Sequence, residues 1–169
     1  MSILKYIAAA CALAVLIAPA AAQADRSSRA HSGPPQENAV TTWSLISQNA
    51  ITAPTPPATT LRPPASSEVL HGLVHAAIYD AVAAVEGGLE PFAVSIRPSG
   101  ATSVDAAVAA AARGVLVTRV PAQAASVDAQ YTSFLGGIPD GPKKTNGIRL
   151  GRAVAGAYLG LRADDGYDS

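Results

Sequence analysis

The chain has 169 residues, and its 12 Lys and Arg residues balance its 12 Asp and Glu residues. This balance gives no electrostatic reason to expect nucleic acid or an anionic membrane surface as a partner. Hydrophobic residues make up 49% of the chain but aromatic residues only 5%, because alanine contributes much of the apolar fraction. Alanine-rich segments suit closely packed helices better than sheets of branched and aromatic residues, so the composition favours an all-α protein.

Residues 1–24 have the pattern of a signal peptide: Lys5 gives a positive start, residues 7–18 are apolar, and small residues lead to Ala24. The apolar run is shorter than the roughly 20 residues that a membrane-spanning helix needs. We therefore expect an exported protein, periplasmic or secreted, that keeps no stable membrane anchor after cleavage. Cleavage after Ala24 removes Cys11, the only cysteine, which excludes disulfides and thiolate chemistry from the mature chain.

Residues 25–37 are polar and carry no apolar period, which predicts a flexible lead-in to a helical domain over residues 38–169. Within that domain, apolar periodicity predicts a bundle of about five helices. They are placed at about residues 38–51, 66–85, 104–120, 122–135 and 142–163. Asn38 and Ser103 are expected to cap the first and third helices, Gly87-Gly88 to end the second, and Pro121 to stop the third. A proline-rich connector, residues 53–65, follows the first helix, because prolines remove donors and fix backbone angles. Trp43, in the first helix, is expected to anchor the core.

The last predicted helix contains two Gly-x-x-x-Gly pairs, the first at Gly147 and Gly151 and the second at Gly156 and Gly160. Such pairs let helix backbones approach closely, and arginines interrupt the segment, so we expect close packing within a soluble bundle. Leu161 falls on the apolar arc of this helix and is expected to face the core.

The segment Ser66–Val85 carries its apolar residues on one broad arc, which predicts the central packing helix of the domain. Glu68, His71 and His75 stand on the edge of that arc, and Asp80 is expected to point to the opposite side. The spacings Glu-x-x-His and His-x-x-x-His could place metal ligands on one face, but a di-metal bundle needs further carboxylates that facing helices lack. The favoured interpretation is partly buried histidines bonded to a neighbouring helix or loop, with Asp80 as another polar anchor.

The loop segment Ile96–Ala101, IRPSGA, contains Arg-Pro and Pro-Ser-Gly, fragments of known phosphate-binding motifs. Glu90 stands where such a motif would have lysine, Ala101 stands where the histidine would be, and the two fragments overlap. A phosphate trianion needs several cationic donors and an acid-base histidine, and this loop offers one arginine. The loop is therefore interpreted as a turn, and no residue is assigned a catalytic, cofactor-binding or metal-binding role.

Five segments, together with the proline-rich connector that follows the first of them, carry a resemblance to a known superfamily. They are AVTTWSLIS at Ala39, LVHAAIYDAVAAV at Leu73, SVDAAVAAAARGVLV at Ser103, YTSFLGGIPDGPKKTNGIRLG at Tyr131 and LRADDG at Leu161. Together they resemble the N-terminal helical region of the vanadium-dependent haloperoxidase and type 2 phosphatidic acid phosphatase superfamily. One departure is Ala83, where relatives often carry asparagine. The resemblance implies a parent enzyme that binds phosphate or vanadate in a helical bundle and hydrolyses phosphate esters or oxidises halides.

In that superfamily the active site uses a Lys and Arg motif, a Pro-Ser-Gly-His motif and a Ser-Arg motif with a later histidine. No position of this chain matches them, so the resemblance leaves enzymatic activity open and implies vanadate or phosphate only in a full-length parent. The leading hypothesis is an exported N-terminal helical portion, inactive alone, whose partner is a missing C-terminal catalytic half or a self-association surface. The alternative is a small exported helical module that binds a protein partner without catalysis.

Overall fold

The structure, a computed structural model, describes residues 38–54 and 63–165, which form an all-α bundle. Its helices are α1 (Ala39–Thr52), α2 (Pro64–Glu86), α3 (Val104–Arg119), α4 (Ala124–Gly136) and α5 (Pro142–Leu161). A 3-10 turn, Pro121–Gln123, precedes α4, and no strand forms within the described ranges. The prediction of an all-α bundle of about five helices is confirmed. The predicted signal peptide and lead-in, residues 1–37, lie outside the described residues.

The helix ends follow local chemistry. The Asn38 side chain accepts a hydrogen bond from the Thr41 amide, and the Thr41 hydroxyl oxygen accepts one from the Asn38 amide, both at 3.0 Å. This is a capping box at the start of α1. Ser103 caps α3 by accepting a hydrogen bond from the Ala106 amide. Gly87 follows α2 with φ of +70°, a left-handed backbone that glycine adopts without strain.

Two prolines behave differently from the prediction. α2 begins at Pro64, inside the predicted proline connector, rather than at Ser66. Proline is tolerated in the first helical turn, because the amide that it lacks would have no intrahelical partner there. Pro121 likewise opens the 3-10 turn before α4 instead of only stopping α3. Residues 55–62 of the connector lie outside the described residues.

α3, and not the helix predicted from Ser66–Val85, is the central helix of the bundle. It packs against each of the four other α-helices, and Ala106–Ala112 are buried without exception. A helix that is apolar on all sides can be buried on all sides, and the small alanine side chains let its neighbours come close. The prediction is corrected for this reason: residues 106–112 of α3 are apolar on every face of the helix and are all buried, whereas α2 leaves part of its surface exposed.

α5 crosses α3 along a seam of small residues. A Cβ atom added to Gly147 would lie 2.5 Å from the carbonyl oxygen of the residue that caps α3, and one added to Gly151 would lie 2.7 Å from Ala110 Cβ. Real Cβ atoms essentially never come this close to a neighbour, so glycine allows the two helices to approach. The predicted close packing is confirmed at these two positions, whereas Gly156 and Gly160 face open space.

Trp43 anchors α1 in the core, as predicted. Its side chain is fully buried and makes edge contacts with the rings of Tyr131 and Phe134 in α4, at centroid distances of 6.1 and 6.0 Å. Arg113 of α3 lies 5.2 Å from the centroid of the Tyr131 ring and pairs with Asp128 at 2.7 Å. This cluster therefore joins α1, α3 and α4.

Candidate functional site

An open apolar groove of about 830 Å³ lies between α2, α5 and the loop that connects α2 to α3. α2 contributes residues at three- and four-residue steps, which form the floor, and the loop and the end of α5 form the sides. The lining residues are Val69, Gly72, Leu73, Ala76, Tyr79, Glu90, Pro91, Phe92, Ala93, Tyr158, Leu161 and Arg162. Pockets that bind ligands typically have volumes of about 300–1,000 Å³, so the groove is large enough to bind a partner group.

Four large side chains of the groove remain exposed to solvent. The exposed fractions are 74% for Phe92, 64% for Leu161, 43% for Tyr79 and 40% for Val69. Leu161 lies on the apolar arc of the last helix, and the sequence pattern predicts that it faces the core. This prediction is wrong, because Leu161 is exposed. Large contiguous apolar patches are rare on monomeric soluble proteins and mark binding surfaces when they occur. The groove is accordingly a candidate docking surface for an apolar partner.

Asp80 holds the loop side of the groove in place. Its carboxylate is 1% exposed and accepts hydrogen bonds from the backbone amides of Phe92 (2.5 Å), Ala93 (3.1 Å) and Val94 (2.7 Å). The Tyr158 hydroxyl of α5 donates a fourth, at 2.6 Å. The sequence predicts Asp80 on the side of α2 opposite the apolar arc, and that side is itself buried, because the loop and α5 cover it. Its predicted role as a polar anchor to a neighbouring loop is confirmed.

The ionisation of this pair follows from its surroundings. Burial alone would raise the pKa of Asp80, but the hydrogen bonds from Tyr158 and the three amides outweigh burial and hold that pKa below its usual range. Burial, together with the hydrogen bond and the charge of Asp80, raises the pKa of Tyr158 above its usual range. At neutral pH the carboxylate is therefore charged and the phenol neutral, which is the pairing that the hydrogen bond requires.

The two charged side chains of the groove lining, Glu90 and Arg162, differ in their surroundings. Tyr79 donates a hydrogen bond of 3.0 Å to the backbone carbonyl of Glu90. This bond attaches the loop to α2 in addition to the hydrogen bonds that Asp80 accepts. The exposed Glu90 carboxylate has no ion-pair partner within the described part of the chain. Arg162, at the α5 side, pairs with Asp165. An electrostatic preference at the groove would therefore favour a cationic group near Glu90.

The histidines of α2 lie away from the groove lining and are half-buried. Nε2 of His75 lies 3.3 Å from Oγ of Ser44 in α1, so the predicted contact with a neighbouring helix is confirmed for His75. Burial and the neighbouring His75 lower the pKa of His71, against the opposing effect of Glu68. In residues 38–54 and 63–165, no three His, Cys, Asp or Glu side chains are grouped as a metal site.

The loop segment Ile96–Ala101 is attached to α5. Arg149 donates hydrogen bonds to the Ser99 hydroxyl and, at 3.0 Å, to the Asn146 side-chain oxygen. Asn146 donates in turn to the backbone carbonyl of Ala101 at 2.9 Å. The polar groups of this loop thus bind α5, which gives the Pro-Ser-Gly turn a packing role.

The sequence alone identifies no residue of the groove as a binding residue, and three of them show why. Phe92 lies in a loop without periodicity, and Leu161 was assigned to a buried arc, so neither carried a usable signal. Gly72 did carry one. A glycine inside an apolar helical segment is less favourable than alanine by about 1 kcal/mol, so its presence there is a feature that the helical periodicity does not explain.

By length and composition alone, α2 could cross a membrane: its most apolar window has a mean hydropathy of 1.3. Core helices of soluble proteins pass the same test, and 44% of this window is buried inside the bundle. The apolar character of α2 is thus divided between the core and the groove.

The described residues form an all-α bundle with an open apolar groove, which is a candidate docking surface. No family model, curated protein or solved structure matches the chain.

Proposed function

We propose that this chain is the exported N-terminal helical scaffold of a protein related to vanadium-dependent haloperoxidases and acid phosphatases, and that it is inactive alone. The groove is then the face on which the C-terminal catalytic half packs. The observation that carries the proposal is the groove itself, since its exposed Phe92 and Leu161 need an apolar partner to leave water. The resemblance of the sequence segments is the basis on which this parent family is proposed.

Two of the resembling segments have structural roles that fit a scaffold. In LVHAAIYDAVAAV, Asp80 ties α2 to the following loop and to α5. In the segment that begins at Tyr131, Gly147 and Gly151 allow α5 to approach α3. These residues organise a helical frame and leave the reaction chemistry to residues outside the described chain.

The course of the chain supports docking of a segment that follows α5. α5 ends at Leu161, and both Leu161 and Arg162 line the groove. Residues that follow therefore start beside the groove. A tethered segment meets its docking surface at a high effective concentration, which favours association without any need for a tight intrinsic affinity.

The test is to extend the chain through its downstream reading frame and assay both proteins. We expect the frame to continue past Ser169 into a Pro-Ser-Gly-His motif. The extended protein should hydrolyse p-nitrophenyl phosphate or, with vanadate and peroxide, oxidise bromide, and the 169-residue chain should do neither. An extended protein with alanine in place of the motif histidine is the control. A stop codon directly after Ser169, or activity of the shorter chain, would overturn the proposal.

The groove also supports a second candidate, a helical module that binds a separate protein and performs no catalysis. Solution behaviour distinguishes the two. A scaffold without its catalytic half exposes the groove and should aggregate and unfold at low denaturant concentration. A complete module should sediment as a dispersed monomer and unfold cooperatively in urea.

A further inference from the structure

Gly72 lies within α2 on the floor of the groove, and a Cβ atom added to it would meet nothing within 4 Å. Glycine is less favourable than alanine inside a helix, and no close neighbour in the described bundle requires it here. At Gly114, Gly147 and Gly151, by contrast, an added Cβ would lie 2.5 Å or less from an atom of the opposite element where α3 and α5 pack together. Those three glycines make room for a second helix.

The floor of the groove repeats the pattern of that contact. Gly72 is followed four residues later by Ala76, the small-x-x-x-small spacing that Gly147 and Gly151 use against α3. Two small residues at this spacing leave a shallow depression on one face of a helix, which admits the backbone of another helix. The depression at Gly147 and Gly151 in α5 is occupied by α3. The depression at Gly72 and Ala76 in α2 faces the open groove.

We propose that the groove receives a single α-helix that crosses α2 at Gly72, with an apolar face, a small residue at the crossing and a cationic side chain near Glu90. This inference rests on the proposed function, under which the helix belongs to the catalytic half that follows α5. It names the chemistry of the docking segment, which the proposed function leaves open.

The dimensions and the charge of the groove fit such an occupant. The floor extends from Val69 to Tyr79, which at a rise of 1.5 Å per residue is about 15 Å, or roughly three helical turns. Phe92 and Leu161 stand exposed on its two sides and would cover the flanks of a helix. Glu90 is the lining charge without an ion pair within the described residues, whereas Arg162 is compensated by Asp165. A cationic side chain on the incoming helix satisfies that charge.

The occupant is assigned to the same chain because of where α5 ends. Leu161 is at once the last residue of α5 and a lining residue of the groove, so the following segment needs only a short turn to reach it. A second copy of the chain or a lipid would meet the same apolar surface without this connection, and both are alternatives that the experiment separates.

A matched pair of glycine variants tests the inference. Gly72→Leu adds a large side chain to the floor at a position where an added Cβ meets no atom within 4 Å. Gly156→Leu is the control: it adds the same side chain at an exposed position of α5 that also has open space and does not line the groove. Both variants are first compared with the parent chain by far-ultraviolet circular dichroism and urea unfolding.

The probe is a fluorescein-labelled synthetic peptide, an amphipathic Ala and Leu helix of about five turns with one central glycine and one lysine. Fluorescence anisotropy should show saturable binding to the chain without its predicted signal peptide, residues 25–169. Gly72→Leu should raise the Kd by about tenfold or more, which corresponds to about 1.4 kcal/mol, and Gly156→Leu should leave it unchanged. A peptide with glutamate for lysine should bind more weakly at low salt, and Glu90→Gln should remove that difference.

Several outcomes would overturn the inference. One is no binding of either peptide, and another is equal binding to Gly72→Leu and the parent chain. Self-association in sedimentation that Gly72→Leu abolishes would assign the groove to a second copy. Binding to phosphatidylcholine vesicles that the same variant abolishes would assign it to lipid. If Gly72→Leu does not fold, Phe92→Ala, at a 74% exposed position, replaces it and should weaken peptide binding. None of these measurements depends on a downstream reading frame, so the inference and the proposed function can fail separately.

Discussion

The hydroxyl of Tyr158 donates a 2.6 Å hydrogen bond to Oδ2 of Asp80, 78 positions earlier in the chain. The same carboxylate accepts the amides of Phe92, Ala93 and Val94. One buried charge therefore connects the floor of the groove in α2 with its loop side and its α5 side. A change at Asp80 or Tyr158 should be felt in the stability of the bundle and in the shape of the groove.

Tyr158→Phe should lower the free energy of unfolding by about 1.5–3 kcal/mol, because it removes a donor from a buried, charged acceptor. Tyr79→Phe is the matched control. Tyr79 is 43% exposed and bonds the neutral carbonyl of Glu90, so its loss should cost less than about 1 kcal/mol. Urea unfolding of both variants gives the comparison. Equal losses would contradict the special role of the carboxylate.

The stability of the bundle should fall in acid because of Asp80. Its pKa in the folded protein is held below the usual value of 3.8, so the ionised group contributes stability above that pH and loses it as the pH falls through the lowered pKa. Tyr158 acts at the other end: its raised pKa makes the neutral phenol stabilising below pH 10.0, its usual pKa, with a loss as the pH rises further.

Urea unfolding measured across the acid range checks this dependence. Asp80→Asn should be less stable than the parent chain at neutral pH. Its free energy of unfolding should also fall less steeply as the pH is lowered (the acid limb of the curve), because the replaced group no longer titrates. Asp164→Asn, at an exposed position, should leave the acid limb unchanged. A steep acid limb that persists in Asp80→Asn would show that another group is responsible.

The parts of the fold that depend on neighbouring residues could be predicted from the sequence. Asn38 and Ser103 were expected to cap helices, and both do. The glycine pair that begins at Gly87 was expected to end α2, and it does. Each of these features depends on residues within one helical turn, where side chain and backbone chemistry decide the outcome. The all-α class followed from the alanine content for the same reason, since helix propensity is a local property.

The groove and the central position of α3 depend on contacts between distant segments. Periodicity placed Asp80 off the apolar arc of α2, but it could not show that the loop of Phe92 to Val94 and Tyr158 would fold over that side. It also could not separate a helix buried on one face from one buried on all faces. α3 occupies the centre because Ala106–Ala112 are small, a property that becomes decisive only when the packed neighbours are known.

The contact between His75 and Ser44 should contribute modestly to stability. Nε2 and Oγ are 3.3 Å apart at a half-buried position between α2 and α1. His75→Ala should lower the free energy of unfolding by about 0.5–1.5 kcal/mol and so lower the Tm. Ser44→Ala and the double variant complete a double-mutant cycle, which should give a favourable coupling energy between the two side chains. An unchanged Tm in His75→Ala, or additive losses in the cycle, would contradict the predicted anchor.

The glycines of α5 should respond to alanine in opposite directions. At Gly151 an added Cβ would lie 2.7 Å from Ala110 Cβ and closer still to a backbone oxygen of α3, so Gly151→Ala must push the helices apart. Overpacking of this kind costs about 1–3 kcal/mol. At Gly156 the added atom meets nothing within 4 Å, and removing a flexible residue from a helix stabilises by about 0.4–1 kcal/mol. Thermal and urea unfolding of the two variants should therefore move the midpoints to opposite sides of the parent chain. Stabilisation by Gly151→Ala would mean that α5 does not lie against α3 at this distance in solution.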